Sequence, residues 1–430
     1  MAYATLAFDL GAHRDALSRL WADNMSDPAV AAIVPERVRW LYERNPEGPP
    51  TTVLIDDGGP DGLVGCASVM PRRAWAGGRE VRAGVLCDLA VARRHRVGGP
   101  ALMLQRSLIE AIKTEGYAFL WGYPNRNSVP VFKRLGYKPV AEALSWVRPL
   151  RTGEFLRRFA PPPAANAGGA LLDAALSLAE RGAAAAFAAG REGAHEDHFD
   201  ARFDELWARA RGHYEVTGAR DAAFLRWRYE EFPSGRHLVF GLSEGATLVG
   251  YVIYRVVSGG GVHVADLFCD EPERHFDALL LHFVRAMRAA GHASVVIALI
   301  AGEAVGARLR RHGFVRRNDP RPLVVRPLEG EGLETVVDPR RWYIIDGDLD
   351  ILTLPPRTRA RARRRGGRPR AGGEGGRTRP LSFATSLLPG ARRRPVPPEA
   401  TLRPARRLRV CFVVNNLDVG GLEKVALSLI

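Results

Sequence analysis

Two segments of the chain carry the same short motifs in the same order. Each opens with Leu-Val-Gly, reaches an Asp-Leu pair at the end of an apolar run, and closes with Gly followed by an aromatic residue. Asp88 precedes Gly136 by 48 positions, and Asp266 precedes Gly313 by 47. The opening motifs begin at Leu63 and Leu248. Because chance rarely supplies such agreement, we interpret the pattern as an internal duplication.

Each segment also has the hydrophobic pattern of an α/β unit. In the first, the strand-like runs TTVLIDD, LVGCASVM and GVLCDLAV precede a helical stretch, the run YAFLWGY and a short helix before Gly136. In the second, HLVFGL, LVGYVIYRVV and VHVADLF precede a helix around 276–290 and the run SVVIALI. We therefore expect an α/β fold built from two similar domains.

Composition sets the expected domain boundaries. An Ala- and Pro-rich stretch separates the two α/β segments, and an Arg-, Gly- and Pro-rich stretch follows the second one. The expected divisions are a first domain at 1–150, a linker at 151–195, a second domain with an extension at 196–356, an Arg-rich linker at 357–407 and a final segment at 408–430.

The net charge of +15 is concentrated in one place. Residues 357–407 contain 16 arginines, no lysine and two acidic residues, so the rest of the chain is close to neutral. A basic segment rich in Gly and Pro is typical of a disordered, solvated tether, with a patch for anionic polymer or a membrane surface as the alternative. Nucleic acid is therefore not an expected partner of the folded part.

Other sequence features favour a cytoplasmic protein without a metal site. The N-terminus lacks the basic and apolar regions of a signal peptide, and no apolar run approaches the ~18 residues of a membrane span. The four cysteines, Cys66, Cys87, Cys269 and Cys411, show neither metal-ligand nor disulfide-framework spacing.

A glycine-rich turn between a strand and a helix is the sequence feature that most directly indicates a chemical function. Arg96, Gly99 and Ala101 satisfy R-x-x-G-x-A, directly after the strand-like run that ends near Val91. Such a turn bares backbone NH groups, and the positive end of the following helix favours a pyrophosphate. Pro100 suits the first helical position but removes one of those NH groups.

In this context the turn resembles the acetyl-CoA signature of the GNAT family of N-acetyltransferases. Downstream, the run from Asn125 to Tyr137 resembles the family's second signature. The resemblance covers residues 1 to about 145 and implies a mixed central sheet flanked by helices, with acetyl-CoA as cosubstrate. The cofactor-binding residues that it implies are Leu89, Val91, Arg96, Val97, Gly98, Gly99, Ala101 and Asn125.

Acetyl transfer to an amine needs a proton acceptor, a stabilised oxyanion and a proton donor for the departing thiolate. Asp88 is the candidate acceptor, although a carboxylate there could equally just pair with an arginine. The family's usual donor is a tyrosine at the position of Phe132, which cannot donate a proton. Tyr123 is the alternative donor, with a buried structural aromatic as its other interpretation.

The second segment resembles the same fold but lacks the glycine turn. Its equivalent stretch contains Asp270, Glu271 and Glu273, and these carboxylates would repel a pyrophosphate. Residues 408–430 resemble the start of a glycosyltransferase with two Rossmann-like domains, with Gly420, Gly421 and Glu423 at the turn before an expected helix. We therefore expect a truncated Rossmann-like start, with a fused glycosyltransferase continuing beyond Ile430.

These observations predict an acetyl-CoA-dependent N-acetyltransferase acting on a small-molecule amine. An amino sugar or sugar nucleotide in polysaccharide biosynthesis is the preferred acceptor, because of the glycosyltransferase-like segment. Two alternatives stay open: a protein or peptide N-acyltransferase, and a tandem scaffold that binds acyl-CoA without turnover.

Overall fold

The computed structural model describes most of the chain up to residue 350. The described residues are 3–24, 31–59, 62–96, 99–125, 128–157, 160–187, 189–257, 259–328 and 333–350, with two short strands at 410–415 and 424–429. The Arg-rich segment 357–407, which we interpret as a tether, lies outside the described residues.

Among its described residues, the first half (3–149) contains six strands and the helices that cover them. Its strands are β1 (Ala4–Ala7), β2 (Thr51–Asp56), β3 (Leu63–Ala76), β4 (Arg79–Val91), β5 (Phe119–Gly122) and β6 (Lys138–Pro149). Its helical segments are Leu10–Asn24, Val34–Val38, the π-helical Arg39–Glu43, the 3-10 turn Arg93–His95, Pro100–Ala111 and Val129–Arg134.

The second half, residues 189–350, repeats this order and adds a C-terminal extension. Its strands are β7 (Arg191–Glu196), β8 (Val216–Gly218), β9 (Leu238–Glu244), β10 (Thr247–Val257), β11 (Gly261–Cys269), β12 (Ser294–Ile300), β13 (Val315–Arg316), β14 (Arg321–Pro327) and β15 (Ile344–Ile345). Its helical segments are Ala201–Ala210, Arg211–His213, Ala222–Leu225, the π-helical Arg226–Glu230, Pro272–Ala289, Glu303–Arg311, Glu334–Val337, Pro339–Arg341 and Asp346–Asp348.

Apolar spacing explains how these helices lie on the sheet. In the helix Ala201–Ala210 the buried residues Phe203, Leu206, Trp207 and Ala210 recur every three or four positions, which places them on one face. The side chain of Asp200 caps this helix by accepting from the backbone NH of Arg202.

The strands of the two halves pair in the same way. In the first half β1, β2, β3 and β4 are successive antiparallel neighbours, and β4 pairs with β5 in parallel. In the second half β7, β9, β10 and β11 are antiparallel neighbours, and β11 pairs with β12 in parallel. Together they form one continuous mixed sheet flanked by helices, as the expected α/β fold requires.

The two halves exchange their last strands. β14 of the second half lies between β5 and β6, whereas the other end of β6 pairs with β12. The central order of the sheet is therefore β5-β14-β6-β12. Each half supplies a strand that completes the other, so strand pairing crosses the expected boundaries at residues 150 and 196.

A reciprocal contact between two tryptophans also joins the halves. The indole rings of Trp40 and Trp227 stack with centroids 4.3 Å apart and planes inclined by 4°. The Nε1 of each ring donates to the backbone carbonyl of the other residue, at 2.8 Å in both directions. Both residues are buried and lie in equivalent π-helical segments, so the contact has approximate two-fold symmetry.

The expected linker at 151–195 is largely helical. Residues Pro162–Phe187 form one helix, and residues from Arg191 onward form the edge strand β7. Glu180 of the helix is buried between Arg148 and Arg288, with which it forms ion pairs. This segment therefore packs against the second half rather than only connecting the two domains.

The C-terminal strands correct one local expectation. Val410–Asn415 is a strand, as expected, but Lys424–Leu429 is a second strand where the start of a helix was expected, and the two pair antiparallel. Pairing with the chain neighbour satisfies the backbone groups of a strand that has no parallel sheet to join among the described residues. Across the described part of the chain, no helix is both long enough and apolar enough to cross a membrane.

The tryptophan pair leads to a stability prediction. Trp40→Ala should lower the free energy of unfolding by about 3–5 kcal/mol, because it removes a buried ring from the contact between the halves. Trp40→Phe retains a ring but loses the Nε1 donor, and should cost only about 1 kcal/mol. Guanidinium unfolding followed by circular dichroism measures both variants. Equal midpoints for Trp40→Ala and the unaltered chain would contradict this role.

Candidate active site

A slot opens at the carboxyl ends of β4 and β5. The two parallel strands pair only where Ala83–Val85 faces Phe119–Trp121. β4 then continues to Val91 along β3, whereas β5 ends at Gly122. In the described part of the chain no strand pairs with the β5-facing edge of β4 beyond Val85, so its backbone groups there are available to a ligand.

A bulge in β4 places Asp88 at this slot. The pairing of β3 and β4 shifts register where Cys66 faces Ala90 and Ser68 faces Cys87. Asp88 lies within the shift and has a φ of 54°, in the left-handed region that few residues other than glycine adopt. Such strained conformations concentrate at functional sites.

Asp88 forms a buried ion pair with Arg37. The Arg37 Nη2 lies 2.5 Å from the Asp88 Oδ1, and both side chains are almost completely buried. Burial raises the pKa of the Asp88 carboxyl, and the Arg37 charge opposes that rise. The Arg37 guanidinium also lies over the ring of Trp21, 4.4 Å from its centroid.

This pair bears on the role predicted for Asp88. One carboxylate oxygen is held by Arg37, whereas Oδ2 is buried without a hydrogen-bond partner among the described residues. The structure thus shows the arginine pairing that we gave as the alternative interpretation. The role of Asp88 as proton acceptor stays a prediction.

The glycine turn ends at a helix N-terminus open to solvent. Gly99 has a φ of 96°, and a Cβ built there would meet nothing within 4 Å. The helix Pro100–Ala111 begins without a side-chain cap, so the backbone NH groups of its first turn, Ala101 included, have no side-chain cap among the described residues. Val97 and Gly98 lie outside the described residues.

Arg96 and His95 support this turn from within. The Arg96 Nε donates to the Val91 carbonyl at 3.1 Å, and its Nη2 donates to the Asn24 Oδ1 at 2.7 Å. His95 is buried, and its Nδ1 lies 3.1 Å from the hydroxyl of Tyr3. Arg96 therefore fixes the turn to the end of β4, and a direct contact with cofactor stays a prediction.

Other sequence-predicted residues surround the same end of the sheet. Leu89 lies on β4 directly after Asp88, within the bulge. Asn125 follows β5, and its Oδ1 accepts from both the backbone NH and the hydroxyl of Ser128, each at 3.0 Å. Asn125 thereby shapes the turn into the helix Val129–Arg134.

The side chain of Tyr123 can donate a proton, whereas that of Phe132 cannot. The Tyr123 hydroxyl is buried and has no hydrogen-bond partner among the described residues. Burial raises its pKa well above the usual value, so the phenol stays protonated at neutral pH. Phe132 packs into the core against Tyr137, with ring centroids 5.2 Å apart. Tyr123 can therefore act as a donor, and Phe132 has a packing role.

Comparison with protein families bears on the first half. Residues 13–140 match the family model described as an acetyltransferase (GNAT) domain. This part of the chain is a GNAT acetyltransferase domain. The match confirms the prediction of an acyltransferase enzyme, whereas the acetyl donor and the acceptor stay predictions.

Three solved structures are similar to most of the chain. A conserved protein of unknown function from Enterococcus faecalis V583, named as a probable N-acyltransferase, is 11% identical over 77% of this chain and 74% of its own, with a TM-score of 0.54. A GCN5-related N-acetyltransferase from Anabaena variabilis ATCC 29413 is 12% identical over 76% and 73%, with a TM-score of 0.54. Another from Kribbella flavida is 16% identical over 77% and 72%, with a TM-score of 0.52.

At these identities the similarity establishes the fold alone. No curated protein matches the sequence.

In the second half, the space that corresponds to the slot of the GNAT domain is occupied by another strand of the chain. β11 and β12 stop pairing after Val264 and Ile297, but β15 then pairs with Leu299 and Ile300. Asp266, the counterpart of Asp88, is paired with Arg220 at 3.2 Å. At the following helix N-terminus, Glu271 stands where the GNAT domain has Gly99.

The arginine partner was not predicted from the sequence. Arg37 precedes the run Arg-Trp-Leu-Tyr-Glu at 39–43, which is echoed by Arg-Trp-Arg-Tyr-Glu at 226–230. This second pair of repeated motifs was a signal that the segment is part of each unit. The sequence did not show that Arg37 reaches Asp88, since 51 positions separate them.

Removal of one charge from the buried pair should destabilise the GNAT domain. We expect Asp88→Asn to cost about 3 kcal/mol or more in unfolding free energy, because it leaves Arg37 buried without its counter-charge. The double variant Arg37→Met with Asp88→Asn should recover part of that loss. Guanidinium unfolding of both variants measures the effect, and additive losses would contradict the coupling.

The glycine turn gives a binding prediction with a matched control. Gly99→Glu should lower the affinity for acetyl-CoA at least about tenfold, because a negative charge at the open N-terminus repels the pyrophosphate. Gly116→Glu is the control, since Gly116 also has a positive φ and open space around it but follows the same helix. Isothermal titration calorimetry on the full chain measures both. Equal losses would show that backbone strain, and not charge at this site, causes the effect.

Proposed function

We propose that the chain transfers an acetyl group from acetyl-CoA to the amine of a small acceptor. The observation that carries the proposal is the slot between β4 and β5, near which lie an uncapped helix N-terminus and Tyr123, the residue that follows β5. The first can hold a pyrophosphate, and the second can protonate a departing thiolate.

The residues present fit acetyl-CoA in three respects. The space around Gly99 admits a phosphate close to the backbone, and the NH groups that follow are not taken by a side-chain cap. The β4 edge beyond Val85 offers backbone donors to a thioester carbonyl, as Leu89 and Val91 were predicted to do. The buried phenol of Tyr123 is held in its protonated form. The bound cosubstrate would supply the activated acetyl group.

For the acceptor, we keep an amino sugar or sugar nucleotide as the preferred class. This choice depends on the resemblance of residues 408–430 to a glycosyltransferase, and the antiparallel strands there do not add to it. A protein or peptide amine is the alternative acceptor.

A scaffold without turnover is the second candidate function. It is favoured by Phe132 at the usual donor position, by Pro100 in the phosphate-binding turn and by the engagement of Asp88 with Arg37. In the scaffold, acetyl-CoA would bind without release of thiol.

Release of free CoA thiol separates these functions. The full chain should release thiol from acetyl-CoA faster in the presence of glucosamine, glucosamine 6-phosphate or UDP-glucosamine than in their absence, because each presents an amine to the slot. A lysine-rich peptide tests the alternative acceptor in the same assay. Tight binding of acetyl-CoA by calorimetry, with no thiol release in any mixture, would contradict transfer and favour the scaffold.

A further inference from the structure

The second half has a buried arginine where the first half has a buried leucine. The π-helical runs Arg-Trp-Leu-Tyr-Glu at 39–43 and Arg-Trp-Arg-Tyr-Glu at 226–230 differ only at the third residue, so Arg228 corresponds to Leu41. Leu41 is 1% exposed and Arg228 is 4% exposed. A guanidinium in such a place costs free energy unless both its charge and its NH groups have partners.

The partners of Arg228 satisfy only part of the guanidinium. Its Nε donates to the Gly347 carbonyl at 2.9 Å, and its Nη2 donates to the Leu349 carbonyl. Its Nη1 is buried without a hydrogen-bond partner, and the side chain forms no ion pair in the described part of the chain. Arg228 therefore lacks one acceptor and a close negative charge.

The hydroxyl of the next residue is also left without a partner. In the first half the Tyr42 hydroxyl lies 2.9 Å from the Thr52 Oγ1 and 3.1 Å from the Ser68 Oγ. In the second half both of these facing positions hold apolar residues, Val239 and Ile253. The counterpart hydroxyl, that of Tyr229, is buried and has no hydrogen-bond partner among the described residues.

Arg228 and Tyr229 line one small cavity, between the π-helical segment and the C-terminal extension. Its volume is about 20 Å³, and its other lining residues include His263, Asp346 and Gly347. A space of about 10–15 Å³ is enough for one particle of the size of water. The cavity therefore admits a single small particle and no group of several heavy atoms.

Gly347 is needed for the hydroxyl to reach this place. A Cβ built at Gly347 would lie 1.7 Å from the Tyr229 hydroxyl oxygen, so a larger residue would displace the ring. Burial raises the pKa of Tyr229 well above its usual value, so the hydroxyl keeps its proton and can donate it in a hydrogen bond.

The other titratable groups of the cavity do not balance the charge of Arg228. The Asp346 Oδ1 lies 2.7 Å from the Arg321 Nη2, and its Oδ2 lies 2.9 Å from the His263 Nε2. Both oxygens of this carboxylate are thus already engaged. Burial, together with the Arg255 charge, lowers the pKa of His237 to about 3, so that ring is neutral.

We propose that the cavity is a binding site for a halide ion, which accepts hydrogen bonds from the Arg228 Nη1 and the Tyr229 hydroxyl. A halide has one heavy atom, as the volume requires, and supplies the negative charge that the guanidinium lacks. A water molecule would satisfy the hydrogen bonds but not the charge. His263 and Asp346 are only partly buried, which gives an ion a route to exchange with solvent.

Binding of the ion would stabilise the extension against the second half, because Arg228 holds the carbonyls of Gly347 and Leu349. We expect the full chain to melt about 2 °C higher in sodium bromide than in sodium gluconate at equal ionic strength, with an increase that saturates as bromide is raised. Gluconate is the reference because it is a monovalent anion too large for the cavity. Differential scanning calorimetry measures the shift.

A matched pair of variants isolates the site from general salt effects. Tyr229→Phe should melt like the unaltered chain in gluconate, because its hydroxyl has no partner, and should raise the half-saturating bromide concentration about fivefold through loss of one hydrogen bond. Tyr42→Phe is the control at the equivalent position of the first half. It should melt lower in gluconate, since it loses two partners, and should keep the full bromide response.

Diffraction from crystals of the full chain grown in bromide locates the ion directly. An anomalous peak in the cavity beside Arg228 and Tyr229 would support the proposal. A peak of ordinary density there without anomalous signal would identify water and overturn it. A bromide response of equal size and midpoint in Tyr229→Phe and the unaltered chain, or no response in the unaltered chain, would also overturn it.

Discussion

The exchange of strands between the halves is the constraint on which the rest of the structure depends. β5 of the GNAT domain pairs with β14, and β6 pairs with β12, so neither half has a complete sheet of its own. The stacked pair Trp40 and Trp227 fixes the two units at a second place, with each indole donating to the other's backbone. The active-site slot thus lies between two strands of the first half, one of which also pairs with a strand of the second half.

The same arrangement accounts for the asymmetry between the halves. In both, the parallel pair of strands separates at its carboxyl ends, which is where ligands bind in open α/β sheets. In the second half this space is taken by β15 and the turn Asp346–Asp348, anchored through buried ion pairs to Arg220. Burial of three charged groups is costly unless each is paired, and here Asp266 and Asp348 share the same guanidinium.

The sequence predicted the parts of this structure that depend on local patterns. The α/β fold, the glycine turn before the helix Pro100–Ala111 and the absence of that turn near Glu271 followed from residue order and periodicity. The strand exchange did not follow, because β6 and β14 show the same apolar pattern whichever half they join. The prediction of a helix after Gly421 was wrong, because Lys424–Leu429 is a strand. A short apolar run is compatible with a strand and with a helix.

At the candidate site, the positions of residues near the strand ends could be predicted, and their partners could not. Asp88 and Tyr123 were predicted from these positions, and their catalytic roles stay predictions. The pairing of Asp88 with Arg37 depends on where the helix Val34–Val38 lies relative to β4, which no local pattern reveals.

The ion pair of Arg37 with Asp88 explains how β4 keeps a conformation that costs energy. A left-handed backbone at a residue other than glycine costs about 1–2 kcal/mol, and it persists only when its surroundings fix it. Here the carboxylate is held by Arg37, and the Asp88 carbonyl accepts from the Cys66 thiol at 3.1 Å. That sulfur in turn accepts from the Trp21 indole at 3.3 Å, beneath the Arg37 guanidinium. Contacts to both the side chain and the backbone of one residue therefore hold the bulge, and with it the edge of β4 that faces the slot.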